Sequence, residues 1–151
     1  MKFLQKIFLS GGIYRNHDNA ISGASFDTPT PNDMYNQLRF FYSDLIENRE
    51  RMNPIELSAW THAEFVRIHP FADGNGRTSR LIMNYQLMEC GLLPISIQAK
   101  DKQDYYNRLD IYGATRKLEP FAELIYELEN KRLDEVIAII EQVQGTDSSM
   151  I

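Results

Sequence analysis

The sequence predicts an all-α helical bundle. Three observations support that class. Apolar residues recur at helical spacing in segment after segment. Cap residues, prolines and glycines mark where those segments start and stop. Strand-forming residues are confined to a single irregular stretch.

In chain order, Lys2 to Leu9 reads as a short amphipathic helix with Phe3, Leu4, Ile7 and Phe8 on one side, ended by Ser10-Gly11-Gly12. Ile13 to Pro31 is irregular, punctuated by Gly23, Pro29 and Pro31; Ile21, Ala24 and Phe26 suit a small hairpin, or a plain loop. Asn32 to about Glu50 is helical, with Met34, Leu38, Phe41, Leu45 and Ile46 on its apolar face. The next helix opens at Asn53-Pro54-Ile55-Glu56, with asparagine as cap, proline in the first position and glutamate in the third. Apolar residues surround nearly its whole circumference, so it is expected to be central and buried. It should end at His69, because a residue before proline is pushed out of helical geometry. Arg77 to about Cys90 forms an equally apolar helix stopped by Gly91 and Pro94, and Cys90 reads as a core residue rather than a nucleophile. Asp101 to about Ala114 is a polar helix bearing Tyr105, Tyr106 and Leu109. Pro120 to Val143 is a long helix whose stripe of Leu133, Val136, Ile137, Ile140 and Val143 suits docking on the core first, or on a second copy in a homodimer. A single domain over residues 1–144 and a flexible tail over 145–151 follow.

Composition narrows the partners. The 151 residues are enough for one domain with a real core. A net charge of −5 with no basic stripe argues against a general nucleic-acid binder. No apolar run approaches the roughly 20 residues needed to span a bilayer. The single cysteine, Cys90, leaves no disulfide framework and no cysteine metal site, which fits a reducing, cytoplasmic setting.

The chemistry is concentrated in His69-Pro-Phe-Ala-Asp-Gly-Asn-Gly-Arg-Thr-Ser-Arg80. His69 stands at a helix-to-loop junction, and Phe71 is a natural apolar plug for the loop. Asp73-Gly74 and Asn75-Gly76 are strong turn dipeptides, and two glycines so close leave backbone N–H groups facing outward as an anion site. A helix opening at Arg77 adds first-turn amides and a favourable dipole. Arg77 and Arg80 are cations at a positive helix end, an arrangement that calls for an anion. Gly76 is followed by Arg77-Thr78 rather than by Lys-Ser/Thr, so this is not a Walker loop. His17 and His62 make no ligand spacing with His69, and His62 reads simply as a helix residue.

This stretch resembles the signature of the Fic family, His-x-Phe-x-Asp/Glu-Gly-Asn-Gly-Arg-x-x-Arg, at every specified position. The resemblance extends from about Gly12 to Lys131 and implies a Fic-fold bundle with a β-hairpin flap over residues 13–31 that captures a target protein by strand addition. It implies an Mg²⁺-dependent transfer of AMP from ATP to a Ser, Thr or Tyr hydroxyl, with His69 as general base and Asp73 as metal ligand. The amides of Gly74, Asn75 and Gly76, with the Asn75 side chain, would surround the α-phosphate. Arg77 would support the phosphates, Arg80 would reach the γ-phosphate, and Tyr106, with Tyr105 nearby, would stack on adenine. Intact Gly74-Asn75-Gly76 favours AMP transfer over the kinase chemistry of the Doc branch. AMP removal and a nucleotide-binding adaptor are the other readings. An inhibitory glutamate is not placed: Glu47 lies in a core helix and Glu129 lacks the Ser/Thr that should precede it, so the inhibitory helix is missing or comes from a partner, and self-modification is expected.

Overall fold

The computed structural model describes residues 12–147, with side chains through 144. The expected helix over Lys2–Leu9 lies outside the described residues. Five α-helices follow: α1 (Pro31–Arg51), α2 (Pro54–Ile68), α3 (Asn75–Glu89), α4 (Lys102–Thr115), preceded by a 3₁₀ turn at Ala99–Asp101, and α5 (Glu119–Asp147). Helix α5 continues past the expected boundary at residue 144.

Local chemistry accounts for the ends. Thr30 caps α1 by accepting from the Asp33 amide, with Pro31 following it. At α2 the Asn53 Oδ1 accepts from the Ile55 and Glu56 amides at 3.0 Å each, while Glu56 accepts from the Asn53 amide at 3.2 Å, a complete capping box. Helix α2 stops at His69, which takes a left-handed conformation with φ 52°. Helix α3 starts two residues earlier than the sequence suggested, with Gly74 at its cap and φ 86°.

Helix α2 is the axle of the bundle. It packs on all four other helices and most extensively on α3. Leu57, Ala59, Trp60, Ala63, Phe65 and Ile68 are buried, and Trp60 stacks on Phe41 of α1 with ring centroids 5.4 Å apart. Helix α3 is more one-sided than its composition suggested: Met83 and Leu87 face the core, whereas Leu81, Tyr85 and Met88 are at least half exposed.

Three expectations are corrected. Cys90 is exposed at the end of α3. The α5 stripe does not dock on the core, since Leu133, Ile137 and Ile140 are exposed while Phe121, Leu124 and Ile125 near the start of α5 are buried. A helix of 29 residues is about 43 Å long and outruns a bundle built on the 15-residue α2. The flap hairpin is also not formed, because no strand occurs among the described residues. Gly23 does turn the chain, with Ala24 N–H bonded to Ile21 C=O and Thr28 Oγ1 donating to Asn19 C=O across the turn, but no backbone ladder joins the arms, whose other bonds go elsewhere. The Arg15 amide donates to Pro70 C=O, Asn19 reaches Ala72 C=O, and the Ser25 amide donates to Asp110. Among the described residues no helix is long and apolar enough to cross a membrane.

Candidate active site

The turn between α2 and α3 is held shut from inside. The Asn75 side chain, 2% exposed, accepts from the Phe71 amide at 2.8 Å and donates to the Phe71 carbonyl at 2.7 Å. It therefore closes the loop on itself, and its carboxamide is committed to Phe71 rather than to the open cleft. Phe71 packs between Tyr14 and Phe65, as a plug should.

His69 ends α2 with its imidazole oriented by one bond. Nδ1 lies 3.0 Å from the Val66 carbonyl. A carbonyl only accepts, so Nδ1 carries the proton and Nε2 keeps its lone pair. Burial lowers the pKa of His69; the Val66 bond opposes this and the Arg15 charge adds to it. The ring is neutral and ready to accept a proton.

The anion-binding groups sit beside it. The Gly74 amide is spent on Asp73 at 2.6 Å. Helix α3 has no side-chain cap, so the amides of Asn75, Gly76 and Arg77 are its open first-turn donors. Asp73 projects into solvent, 93% exposed, and pairs with Arg77 at 3.2 Å. Among the described residues no group of three or more His, Cys, Asp or Glu could hold a metal. A lone exposed carboxylate beside phosphate donors is nonetheless a donor set that suits Mg²⁺, which is commonly held by one or two carboxylates plus substrate phosphates.

All nine candidate residues border one cleft of about 760 Å³, an ordinary size for a ligand site. The tyrosines divide. Tyr106 is half exposed on the cleft wall, whereas Tyr105 is buried beneath it. Glu47 is exposed on α1. Glu129 is buried and accepts from the Leu93 amide at 2.7 Å, holding the connector after α3.

Two features escaped the sequence reading. Arg15 is fully buried and donates to the carbonyls of His69 (2.8 Å), His17 (2.9 Å) and Pro29 (2.5 Å), tying the whole 15–29 segment to the base of the histidine. Phe26 lies on Gly113 of α4 so closely that a Cβ there would come within 2.0 Å of the ring. Gly113→Ala should therefore forgo the gain of about 1 kcal/mol that alanine normally brings to a helix interior and loosen this wall of the cleft. Faster hydrogen exchange over residues 19–28 is the expected readout, and unchanged exchange would show that Phe26 repacks freely.

Acid should weaken the fold through its histidines. Burial holds His62 well below its ordinary 6.5, at about 3; the Ser79 backbone opposes this and the Arg80 charge reinforces it. The unfolded chain binds that proton near pH 6.5 and the folded chain does not, so stability is full above pH 6.5 and declines as pH falls toward 3. Each proton so refused costs about 1.4 kcal/mol per pH unit. His69 shifts in the same sense. The thermal midpoint should fall steadily below pH 6.5, and more gently in His62→Gln.

Known proteins resemble this chain in sequence and in fold. The sequence model of the Fic/DOC family matches residues 2–87. A protein adenylyltransferase Fic of Nematostella vectensis is 35% identical over 131 residues, 86% of this chain and 30% of that relative. A protein adenylyltransferase Fic of Aedes aegypti is 34% identical over 127 residues, 83% of this chain and 25% of the relative. Among solved structures, a Fic domain containing signaling protein from Bacteroides thetaiotaomicron superposes with a TM-score of 0.71 at 27% identity, covering 80% of this chain and 52% of that one. Fic-1 from C. elegans gives 0.67 at 29% identity, with 73% and 33% covered. The chain thus spans about a third or less of the length of these adenylyltransferase relatives.

Proposed function

The chain belongs to the Fic/DOC family, and from that membership we propose that it transfers AMP from ATP to a hydroxyl side chain of another protein and of itself. The observation that carries this reading is the neutral His69, its Nδ1 tied to Val66 C=O, on the same cleft as the open amides of α3. In the proposed reaction the target hydroxyl oxygen bonds to the α-phosphorus. Its proton passes to His69 Nε2, the bond from the α-phosphorus to the bridging oxygen breaks, and pyrophosphate leaves. The Asn75 and Gly76 amides receive the charge that builds on the α-phosphate. Arg80 meets the terminal phosphate and Arg77 lines the path to it. Mg²⁺ would be held by Asp73 together with the phosphates and would supply charge neutralisation. Asp73 would then give up its contact with Arg77, which would leave that guanidinium to the phosphates. Tyr106 offers the exposed ring for the base. The target segment lies along residues 20–24, which rim the cleft next to His69.

Parallel incubation with α-labelled and γ-labelled ATP plus Mg²⁺ tests the reading. Label from the α-position alone, on the protein itself or on a lysate protein, is the expected result. Label from the γ-position would move the chain to kinase chemistry. Absence of label from both would overturn transfer and favour a nucleotide-binding adaptor.

A further inference from the structure

Arg80 is held from an unexpected direction. Its Nη1 lies 3.5 Å from the Tyr105 hydroxyl, and a Cβ on Gly76 would approach the same nitrogen to 3.3 Å. The guanidinium is thus bracketed between a glycine of its own helix and a tyrosine of α4. Tyr105, 2% exposed, packs on Phe121 with centroids 5.9 Å apart, and its hydroxyl lies 2.8 Å from His62 Nε2. His62 belongs to α2, is fully buried and stacks on Phe121 at 5.2 Å.

The bonds form one continuous chain. A guanidinium only donates, so the Tyr105 oxygen accepts from Arg80. The tyrosine hydrogen lies on the bond to His62 Nε2 in the tautomer that carries its proton on Nδ1. Three helices meet in this chain: α2 supplies its far end, α4 the link and α3 the arginine. Stability alone does not call for it. A buried hydrogen bond contributes little net stability, and apolar groups of the same shape in both places can be nearly neutral. What an apolar pair lacks is a fixed oxygen beside Arg80.

We propose that His62 and Tyr105 are positioning residues that set Arg80 for the terminal phosphate of a nucleoside triphosphate. The proposal rests on the reading of Arg80 as a phosphate contact. It makes Tyr105 a support from below, whereas Tyr106 faces the base.

The test is calorimetric titration of Mg-ATP and of AMP into the protein, with His69→Ala throughout so that bound ATP is not consumed. Tyr105→Phe should weaken ATP by about fivefold to tenfold, the size of one lost hydrogen bond, and leave AMP unchanged. The same substitution in an Arg80→Ala background should add nothing. His62→Gln, whose side-chain oxygen can accept from Tyr105, should keep more preference for ATP over AMP than His62→Leu; this pair carries the test if Tyr105→Phe does not fold. Equal losses for ATP and AMP, an undiminished loss in the Arg80→Ala background, or no loss at all would overturn the relay. An Arg80→Ala protein that keeps full preference for ATP over AMP would instead overturn the phosphate role of Arg80, on which the relay stands.

Discussion

Replacing His69 by alanine is expected to lower the proposed AMP transfer by about 10²–10⁴-fold, the range that a positioned general base contributes, with ATP still bound. The size follows from the geometry. Nδ1 is committed to Val66 C=O, so Nε2 is the ring atom with a free lone pair, and it stands at the wall of the cleft. No other imidazole can take over: His62 is sealed in the core with Nε2 on Tyr105, and His17 is not among the residues that border the cleft. His69 also occupies a left-handed conformation, so alanine there changes the backbone preference as well as the chemistry. His69→Asn separates the two effects, since asparagine adopts that conformation readily and has no basic nitrogen. Both variants should lose transfer alike, as read by α-labelled ATP. Transfer that survives in His69→Asn would remove the histidine from the proton path.

Arg15→Met is expected to produce the largest loss of stability of any single change considered. Methionine fills a similar length without donating, and three carbonyls lose their partner. Each buried polar group left unsatisfied costs about 1–3 kcal/mol, against a total stability of about 5–15 kcal/mol for a domain. The carbonyl of His69 is one of the three, so the loop should lose its set even where the domain remains folded. Transfer measured at low temperature, on fully folded protein, should therefore drop along with the urea midpoint. Arg15→Lys should recover little, because one ammonium cannot point at three separated carbonyls as a planar guanidinium does. A wild-type urea midpoint in Arg15→Met would mean that water replaces the arginine, and the clamp would lose its role.

How much of this was written locally can be read residue by residue. Asn53, Pro54 and Glu56 announce the start of α2 because a capping box is complete within four positions. Pro70 announces its end, since the clash with the preceding residue is between neighbours. Gly74 and Gly76 announce the turn and its exposed amides, though the helix begins at Asn75 rather than at Arg77. Failures occurred where a side chain's partner is distant along the chain. The residues around Gly23 carry the signature of a turn, yet whether its arms pair with each other depends on competition from Pro70, Ala72 and Asp110. The apolar stripe of α5 has the right period for a core face, but period says nothing about whether a neighbour is long enough to cover it.

The sequence by itself determined the helical class, the place of the candidate turn and membership of the family, because each is carried by patterns spanning a few residues. Tertiary structure alone decided that Arg15 grips His69 across 54 positions, that Asn75 turns inward to Phe71, that Phe26 seats on Gly113, and that His62 and Tyr105 meet beneath Arg80. A buried polar group takes whichever partner the packed helices bring within 3 Å or so, and that choice exists only once the chain has folded.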